Sequence, residues 1–174
     1  MSLTSFRDLP GDARVWIFAA ADPLSPEATA RLLREVDDYL AQWKAHDEPL
    51  TCARDWRDGR FLAIGVDQST AGASGCSIDA LFRILQGLQA SLGAALLSGA
   101  RVFHRDAKGC VVSTDRAEFA RRASSGTITS RTPVFDTTVV TAAAYRQAFE
   151  RPMGESWHRE IAGAAADVAT SSAR

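Results

Sequence analysis

The first part of the chain combines a continuous apolar run with a segment of helical periodicity. Residues 14–21 form the apolar run, which is typical of a strand covered on both faces. Ser25 followed by Pro26 is a strong helix start, because serine caps the first turn and proline fits its first position. An amphipathic helix is predicted from Pro26 to about Ala45, and its apolar face contains Leu32, Leu33, Val36, Leu40 and Trp43.

A hairpin signal and a second helical pattern follow. Residues 50–57 and 60–66 are predicted to pair, because the Asp-Gly sequence at 58–59 is a common tight-turn signal. The second helix is predicted to begin with Ser77 as its N-cap. Its apolar face contains Ile78, Leu81, Phe82, Leu85, Leu88 and Leu92.

The last third of the chain contains shorter signals. Residues 101–113 predict a second hairpin, and residues 114–126 predict a short helix that a capping box opens and Gly126 closes. Residues 127–140 are rich in threonine and valine and are expected to be extended. Residues 141–150 predict a last helix, and the chain after Trp157 is expected to fray.

The order strand, helix, strand, strand, helix, strand predicts the fold class. It indicates an α+β protein with a ferredoxin-like (split βαβ) sandwich and a C-terminal α/β extension, with a three-layer α/β arrangement as the alternative. In that sandwich the first and third strands are parallel neighbours in the middle of the sheet, and these two segments are the most apolar, as central strands should be. We predict one α+β domain over residues 1–160 and a flexible tail over residues 161–174.

Composition and charge limit the classes of partner. A net charge of -1 gives no electrostatic reason to expect nucleic acid or an acidic membrane surface. No apolar run reaches the length of a membrane span, and the first residues lack the layout of a signal peptide. Three widely spaced cysteines favour free thiols in the cytoplasm over disulfides or a zinc site. A homodimer is expected if one face of the sheet has no other cover.

The segment VDQSTAGASGCSID, residues 66–79, is the candidate ligand site. If the first and third strands are parallel, the loop at Asp22 lies beside this segment, and two helix N-termini point to the same rim. Such a rim attracts anions, and its small residues permit close backbone approach. The candidate ligand-binding residues are Asp22, Asp67, Ser74, Gly75, Cys76, Ser77 and Asp79.

Two interpretations of the acidic residues remain open. Their carboxylates would repel a phosphate unless Mg²⁺ intervened, and Asp67 and Asp79 are then its candidate ligands. Alternatively, Ser77 caps the second helix and Asp79 complements the helix dipole from the first turn.

Cys76 supports a third hypothesis, because a helix N-terminus can favour the thiolate. A nucleophilic cysteine also needs a base, and the sequence does not connect Cys76 with His46, His104 or His158. A buried, unreactive thiol is the alternative.

Five segments occur in order between Phe6 and His158: ARVWIF, QWKAHDEPL, ASGCSID, TPVFDTTV and ESWH. In these segments the chain resembles a family of small uncharacterised bacterial proteins. Members of that family often carry the label "ABC transporter ATPase", but this chain has no P-loop sequence. The segment EFARRASSGTITSRTPVF also resembles part of small GYF-like adaptor domains, which implies a protein-interaction role.

Two functions from different classes follow. Because the sequence offers no acid–base set, we expect a noncatalytic cytoplasmic module that binds a small molecule or a protein. The alternative is an Mg²⁺-dependent enzyme that acts on a phosphorylated small molecule at the Asp67–Asp79 loop. No cofactor besides Mg²⁺ is predicted.

Overall fold

The chain divides into two compact units. A computed structural model describes residues 4–45, 48–69, 75–92, 96 and 101–163, apart from the side chains of residues 45, 76, 77 and 92. The first unit comprises Met1–Ser98 and Thr137–Gln147, and the second comprises Gly99–Asp136 and Ala148–Arg174. The single domain over residues 1–160 stays a prediction, because this division does not show whether the units fold independently.

Both helices and strands occur along the described chain. In order they are β1 (Arg14–Ala19), α1 (Pro26–Ala41), β2 (Lys44–Ala45), β3 (Glu48–Pro49), β4 (Cys52–Arg57), β5 (Phe61–Val66), α2 (Gly75–Leu92), β6 (Val102–Arg105), β7 (Val111–Thr114), α3 (Arg116–Ser124), β8 (Pro133–Phe135), α4 (Ala142–Ala148) and β9 (Glu150–Pro152). Short 3₁₀ helices lie at Phe6–Asp8 and Met153–Glu155, and residues 158–163 are helical. Within the described ranges, no helix is long and apolar enough to cross a membrane.

The sheet of the first unit has β5 at its centre. β1 and β4 flank β5, and both are antiparallel to it. All six residues of β5 are buried, as its apolar sequence predicts. The β4–β5 hairpin turns at Asp58 and Gly59, which both have positive φ, 53° and 67°. An Asp-Gly pair suits that geometry, and the predicted hairpin is confirmed.

The two faces of this sheet have different cover. α1 and α2 pack on one face, in a core that includes Leu32, Val36, Ile64, Leu81 and Leu85. On the other face the N-terminal segment approaches β5 so closely that a Cβ at Gly65 would contact the side chains of Leu9 and Phe6. The chain before β1 is therefore part of the packed structure.

The second unit contains a four-stranded antiparallel sheet in the order β7-β6-β8-β9. The predicted β6–β7 hairpin is confirmed, and Oδ1 of Asp106 accepts the backbone N–H groups of Lys108 and Cys110 in its turn. α3 begins after Asp115, whose carboxylate accepts the backbone N–H of Glu118 at 2.7 Å. The small hydrophobic core of the second unit contains Val102, Phe119, Ile128, Val134 and Met153.

The predicted parallel pairing of the first and third strands is wrong. β1 and β5 are antiparallel, with Arg14 opposite Val66 and Ala19 opposite Phe61. β1 and β4 run in the same direction on either side of β5, and α1 lies between them in sequence. The apolar composition of the two strands indicated burial, but burial is compatible with either strand direction.

The structure confirms the α+β class, with antiparallel sheets in the described chain, but it does not confirm a ferredoxin-like sandwich. β6 would be the fourth strand of that fold, and it pairs instead with β7 and β8 in the second unit. In the first unit, the backbone N–H of Val15 donates to the carbonyl of Val140 at 2.9 Å, beside a bridge between Arg14 and Thr141. The segment at residues 140–141 thus lies along β1.

Several predicted boundaries also differ from the structure. α1 ends at Ala41 rather than near Ala45, because Lys44 and Ala45 pair with β3. Residues 127–140 contain a strand only at β8, whereas the helix predicted over 141–150 is present as α4. Residues 158–163 are helical rather than frayed, and residues 164–174 of the predicted tail lie outside the described residues.

Candidate functional site

The predicted rim formed by the loops at Asp22 and Asp67 is not present. Asp22 follows β1 and Asp67 follows β5, and the antiparallel pairing places these loops at opposite ends of the sheet. Oδ1 of Asp67 accepts the backbone N–H of Ser69 at 2.8 Å, so this carboxylate shapes its own turn. Near Asp22, burial lowers the pKa of Arg60, while the charges of Asp22 and Asp58 act in the opposite direction.

The beginning of α2 also differs from the prediction. The helix begins at Gly75, so Ser77 lies inside it and is not the N-cap. Asp79 is exposed and lies beyond the first turn, where its effect on the helix dipole is small. Ser74 lies outside the described residues, as do the side chains of Cys76 and Ser77.

The metal and thiol hypotheses stay predictions. Among the described residues, no group of three or more His, Cys, Asp or Glu side chains could hold a metal ion. If Asp67 and Asp79 hold Mg²⁺, its further ligands must come from outside this set of described side chains. The structure describes Cys52 and Cys110 as free thiols, and it describes no side-chain contact of Cys76.

A groove in the first unit brings together charged residues that lie far apart in the sequence. Its volume is about 670 Å³, and it is formed by the N-terminal segment, β4 and α4. We call it the arginine groove, because its lining includes Arg7, Arg54, Asp55, Arg57, Tyr145 and Arg146. Four arginines and one aspartate thus meet in a chain whose net charge is only -1.

The alternation of β4 explains how its side chains reach this groove. Cys52 and Trp56 pack in the core under the helices, because alternate residues of a strand face the same side. Arg54 shares that side and binds Asp37 of α1 through two hydrogen bonds, of 2.6 and 2.7 Å. Asp55 and Arg57 have the opposite orientation and are half-buried.

Tyr145 anchors α4 to β4 inside the arginine groove. Its hydroxyl donates a hydrogen bond to Oδ2 of Asp55 at 2.9 Å, and its ring packs edge-on against Phe6 with a centroid distance of 5.0 Å. Burial raises the pKa of Tyr145, and the carboxylate of Asp55 raises it further, whereas Arg57 acts in the opposite direction. The phenol therefore remains a protonated donor at neutral pH.

The rim of the groove carries exposed positive charge. Arg7 and Arg146 are exposed, and Nη1 of Arg146 donates to the carbonyl of Leu9 at 3.2 Å, which connects α4 with the N-terminal segment. Guanidinium groups remain charged and present planar pairs of donors that fit carboxylates and phosphates. The groove is therefore suited to holding an anion.

The second unit contains a separate buried polar cluster. Oδ1 of Asp136 accepts from Nε1 of Trp157, and Oδ2 accepts from Nη2 of Arg151, both at 3.0 Å. Ser156 Oγ and His158 Nδ1 are 2.8 Å apart. Burial lowers the pKa of His158 to about 4. Although this cluster contains Ser, His and Asp, Ser156 and His158 are buried and out of reach of a substrate, so their role is structural.

Comparison with protein-family models, curated proteins and solved structures finds no match to this chain. The geometry of the arginine groove is therefore the basis for assigning a function. No pattern in the sequence indicated Asp55, Arg57, Tyr145 or Arg146 as site residues. Charged residues at alternate positions of β4 were an available signal, but no sequence pattern connects Asp55 with Tyr145, 90 positions away.

Proposed function

We propose that this protein is a noncatalytic binding module whose arginine groove holds a small anionic ligand. The observation that carries the proposal is that Arg7, Arg57 and Arg146 line one groove together with the hydrogen-bonded pair Tyr145 and Asp55. A volume of about 670 Å³ lies in the range of small-molecule sites, roughly 300–1,000 Å³. The groove size favours a small ligand over a protein surface.

The charges of the groove support an anion as its ligand. Arg54 is bound to Asp37, and the described lining contains one carboxylate, that of Asp55, together with three other arginines. An anion would therefore meet a net positive lining, and a half-buried guanidinium such as Arg57 would hold it more strongly than an exposed one.

The same residues support binding rather than catalysis. The raised pKa of Tyr145 makes its hydroxyl a poor proton donor or acceptor in a reaction near neutral pH. Oδ2 of Asp55 is occupied by Tyr145, and the arginines keep their protons. None of the described lining residues is a histidine, cysteine or lysine that could act as base or nucleophile.

Thermal unfolding with inorganic phosphate and with succinate tests the proposal. A ligand at about 100 times its Kd stabilises the folded state by about 2.7 kcal/mol. We expect Arg57→Gln to raise the Kd about tenfold or more, because a charge-assisted hydrogen bond contributes roughly 1.5–3 kcal/mol. Arg121→Gln is the matched control, since Arg121 is exposed on α3 in the second unit.

Sodium chloride at matched ionic strength separates binding from screening. Equal stabilisation by chloride, or an unchanged Kd in Arg57→Gln, would contradict a specific anion site. If no small anion binds but an acidic peptide does, the module binds a protein rather than a small molecule.

Location and assembly are part of the same proposal. The exposed thiol of Cys110 supports a reducing compartment such as the cytoplasm, because an exposed free cysteine is prone to oxidation elsewhere. We keep the homodimer as a prediction, and light scattering of the purified chain tests it by giving the mass in solution.

A further inference from the structure

The carboxylate of Asp55 sets a condition on any anion that enters the arginine groove. Oδ2 of Asp55 accepts the hydrogen bond of Tyr145, which fixes the orientation of the carboxylate. Among the described residues, Oδ1 has no hydrogen-bond partner, and Asp55 is only half-buried. Asp55 lines the groove, and its Oδ1 is an acceptor without a donor among the described residues, beside arginines that attract acceptor groups.

A bound anion that carries only acceptor oxygens would meet Asp55 unfavourably. It would repel Oδ1 if the two were close, and it would strip water from Oδ1 without replacing the lost hydrogen bond. A ligand that also carries a donor removes both penalties. Because three arginines besides the Asp37-bound Arg54 line the groove with one aspartate, a neutral hydroxyl donor fits the total charge better than an ammonium.

We propose that the ligand is a small anion with a hydroxyl group near its charged end, such as a hydroxy-dicarboxylate or a polyol phosphomonoester. The anionic group binds Arg57 together with Arg7 or Arg146, and the hydroxyl donates to Oδ1 of Asp55. Tyr145 is a positioning residue, because it holds Asp55 in place. This inference rests on the proposed binding function and specifies its ligand class.

Calorimetric titration with matched probes tests the hydroxyl contact. Succinate, malate and aspartate share a four-carbon dicarboxylate and differ at one position, which carries hydrogen, hydroxyl or ammonium. Propyl phosphate and glycerol 3-phosphate give the phosphomonoester pair. We expect the hydroxylated member of each pair to bind about tenfold or more tightly, the difference that one hydrogen bond to a charged group produces.

Asp55→Ala distinguishes loss of the hydroxyl contact from misfolding, because misfolding would weaken the binding of every probe. Without the carboxylate, succinate should bind more tightly than it binds the wild type, whereas malate should lose its advantage over succinate. Asp55→Ala combined with Tyr145→Phe repeats the test after removal of the hydroxyl that donates to Asp55 in the wild type.

Each outcome decides the inference. Equal binding of malate and succinate by the wild type, or an unchanged ratio in the Asp55 variants, would overturn the hydroxyl contact and leave anion binding intact. Tighter binding of aspartate than of malate would overturn the hydroxyl in favour of an ammonium. If none of the five probes binds, the proposed function fails and this inference fails with it.

Discussion

The hydroxyl of Tyr145 donates a hydrogen bond to Oδ2 of Asp55 at 2.9 Å, although the two residues are 90 positions apart. The bond connects α4 with β4 inside the arginine groove, and it occupies only one of the two carboxylate oxygens of Asp55. Phe6 packs on the Tyr145 ring and Arg57 lies near its hydroxyl, so one residue organises the packing and the charge of the site.

The first prediction concerns the coupling between these two residues. Tyr145→Phe removes the hydrogen bond donated to a half-buried carboxylate, and Asp55→Ala removes the acceptor of a buried phenol hydroxyl, so each should lower the free energy of unfolding by about 1–3 kcal/mol. The double variant should cost less than the sum of the two, with a coupling of about 0.5–3 kcal/mol. Urea denaturation measures all four proteins, and strictly additive effects would contradict a direct hydrogen bond.

The second prediction concerns the close approach at Gly65. A Cβ at this position would collide with Leu9 and press against Phe6 at 3.2 Å, so Gly65→Ala should destabilise the protein by about 1–3 kcal/mol. The same substitution should weaken anion binding, because Phe6 and Arg7 belong to one 3₁₀ helix.

Gly87→Ala is the matched control for Gly65→Ala. Gly87 lies in α2 with no atom within 4 Å of an added Cβ, so alanine should stabilise the protein by roughly 0.5–1 kcal/mol. If the two variants have the same stability, the N-terminal segment does not cover β5.

Local signals in the sequence predicted much of this fold. Ser25 caps α1 through a 3.1 Å hydrogen bond from Ala28, Asp115 caps α3, and the Asp58-Gly59 pair turns the β4–β5 hairpin. These features depend on residues a few positions apart, whose side chains and backbone preferences are visible in the sequence. Strand direction depends on the path of the whole chain, so local signals do not predict it. Because β1 and β5 were predicted to be parallel, the loops at Asp22 and Asp67 were wrongly placed at the same rim.

The arginine groove illustrates what local patterns do not contain. Asp55 and Arg57 occupy alternate positions of an edge strand, where charged side chains are usually solvated. Asp55 and Arg57 lie near Tyr145 and Arg146 only because the chain segment Thr137–Gln147 belongs to the first unit. No local sequence pattern predicts that this segment packs in the first unit.

The third prediction concerns the pH dependence of stability. Burial lowers the pKa of His158 to about 4, Asp136 raises it in part, and Arg151 and Arg116 lower it further. The unfolded value is about 6.5, so the stabilisation from neutral His158 is complete above that pH and is lost as the pH falls towards 4. The loss should be at most about 3 kcal/mol.

Urea denaturation at pH 7 and pH 5 tests this dependence. The wild type should lose more stability between these two values than His158→Gln does. An NMR titration of the imidazole gives the pKa directly, and a value at or above 6.5 would contradict the buried neutral histidine.

The fourth prediction concerns the cysteines. Burial raises the pKa of Cys52 to about 11, and its thiol donates to the carbonyl of Leu40 at 3.5 Å, whereas Cys110 is exposed. Iodoacetamide should therefore modify Cys110 in the folded protein and Cys52 only after unfolding. Peptide mass spectrometry distinguishes the sites and also measures Cys76. Equal rates at Cys52 and Cys110 would contradict the burial of Cys52.

The most direct test of the central claim is to locate an added anion by NMR. In a titration with malate or glycerol 3-phosphate, the Nε–Hε signals of Arg7, Arg57 and Arg146 should shift and saturate together, while that of Arg121 stays unchanged. Saturable shifts confined to other parts of the chain, or no saturable shift at all, would contradict a ligand site in the arginine groove.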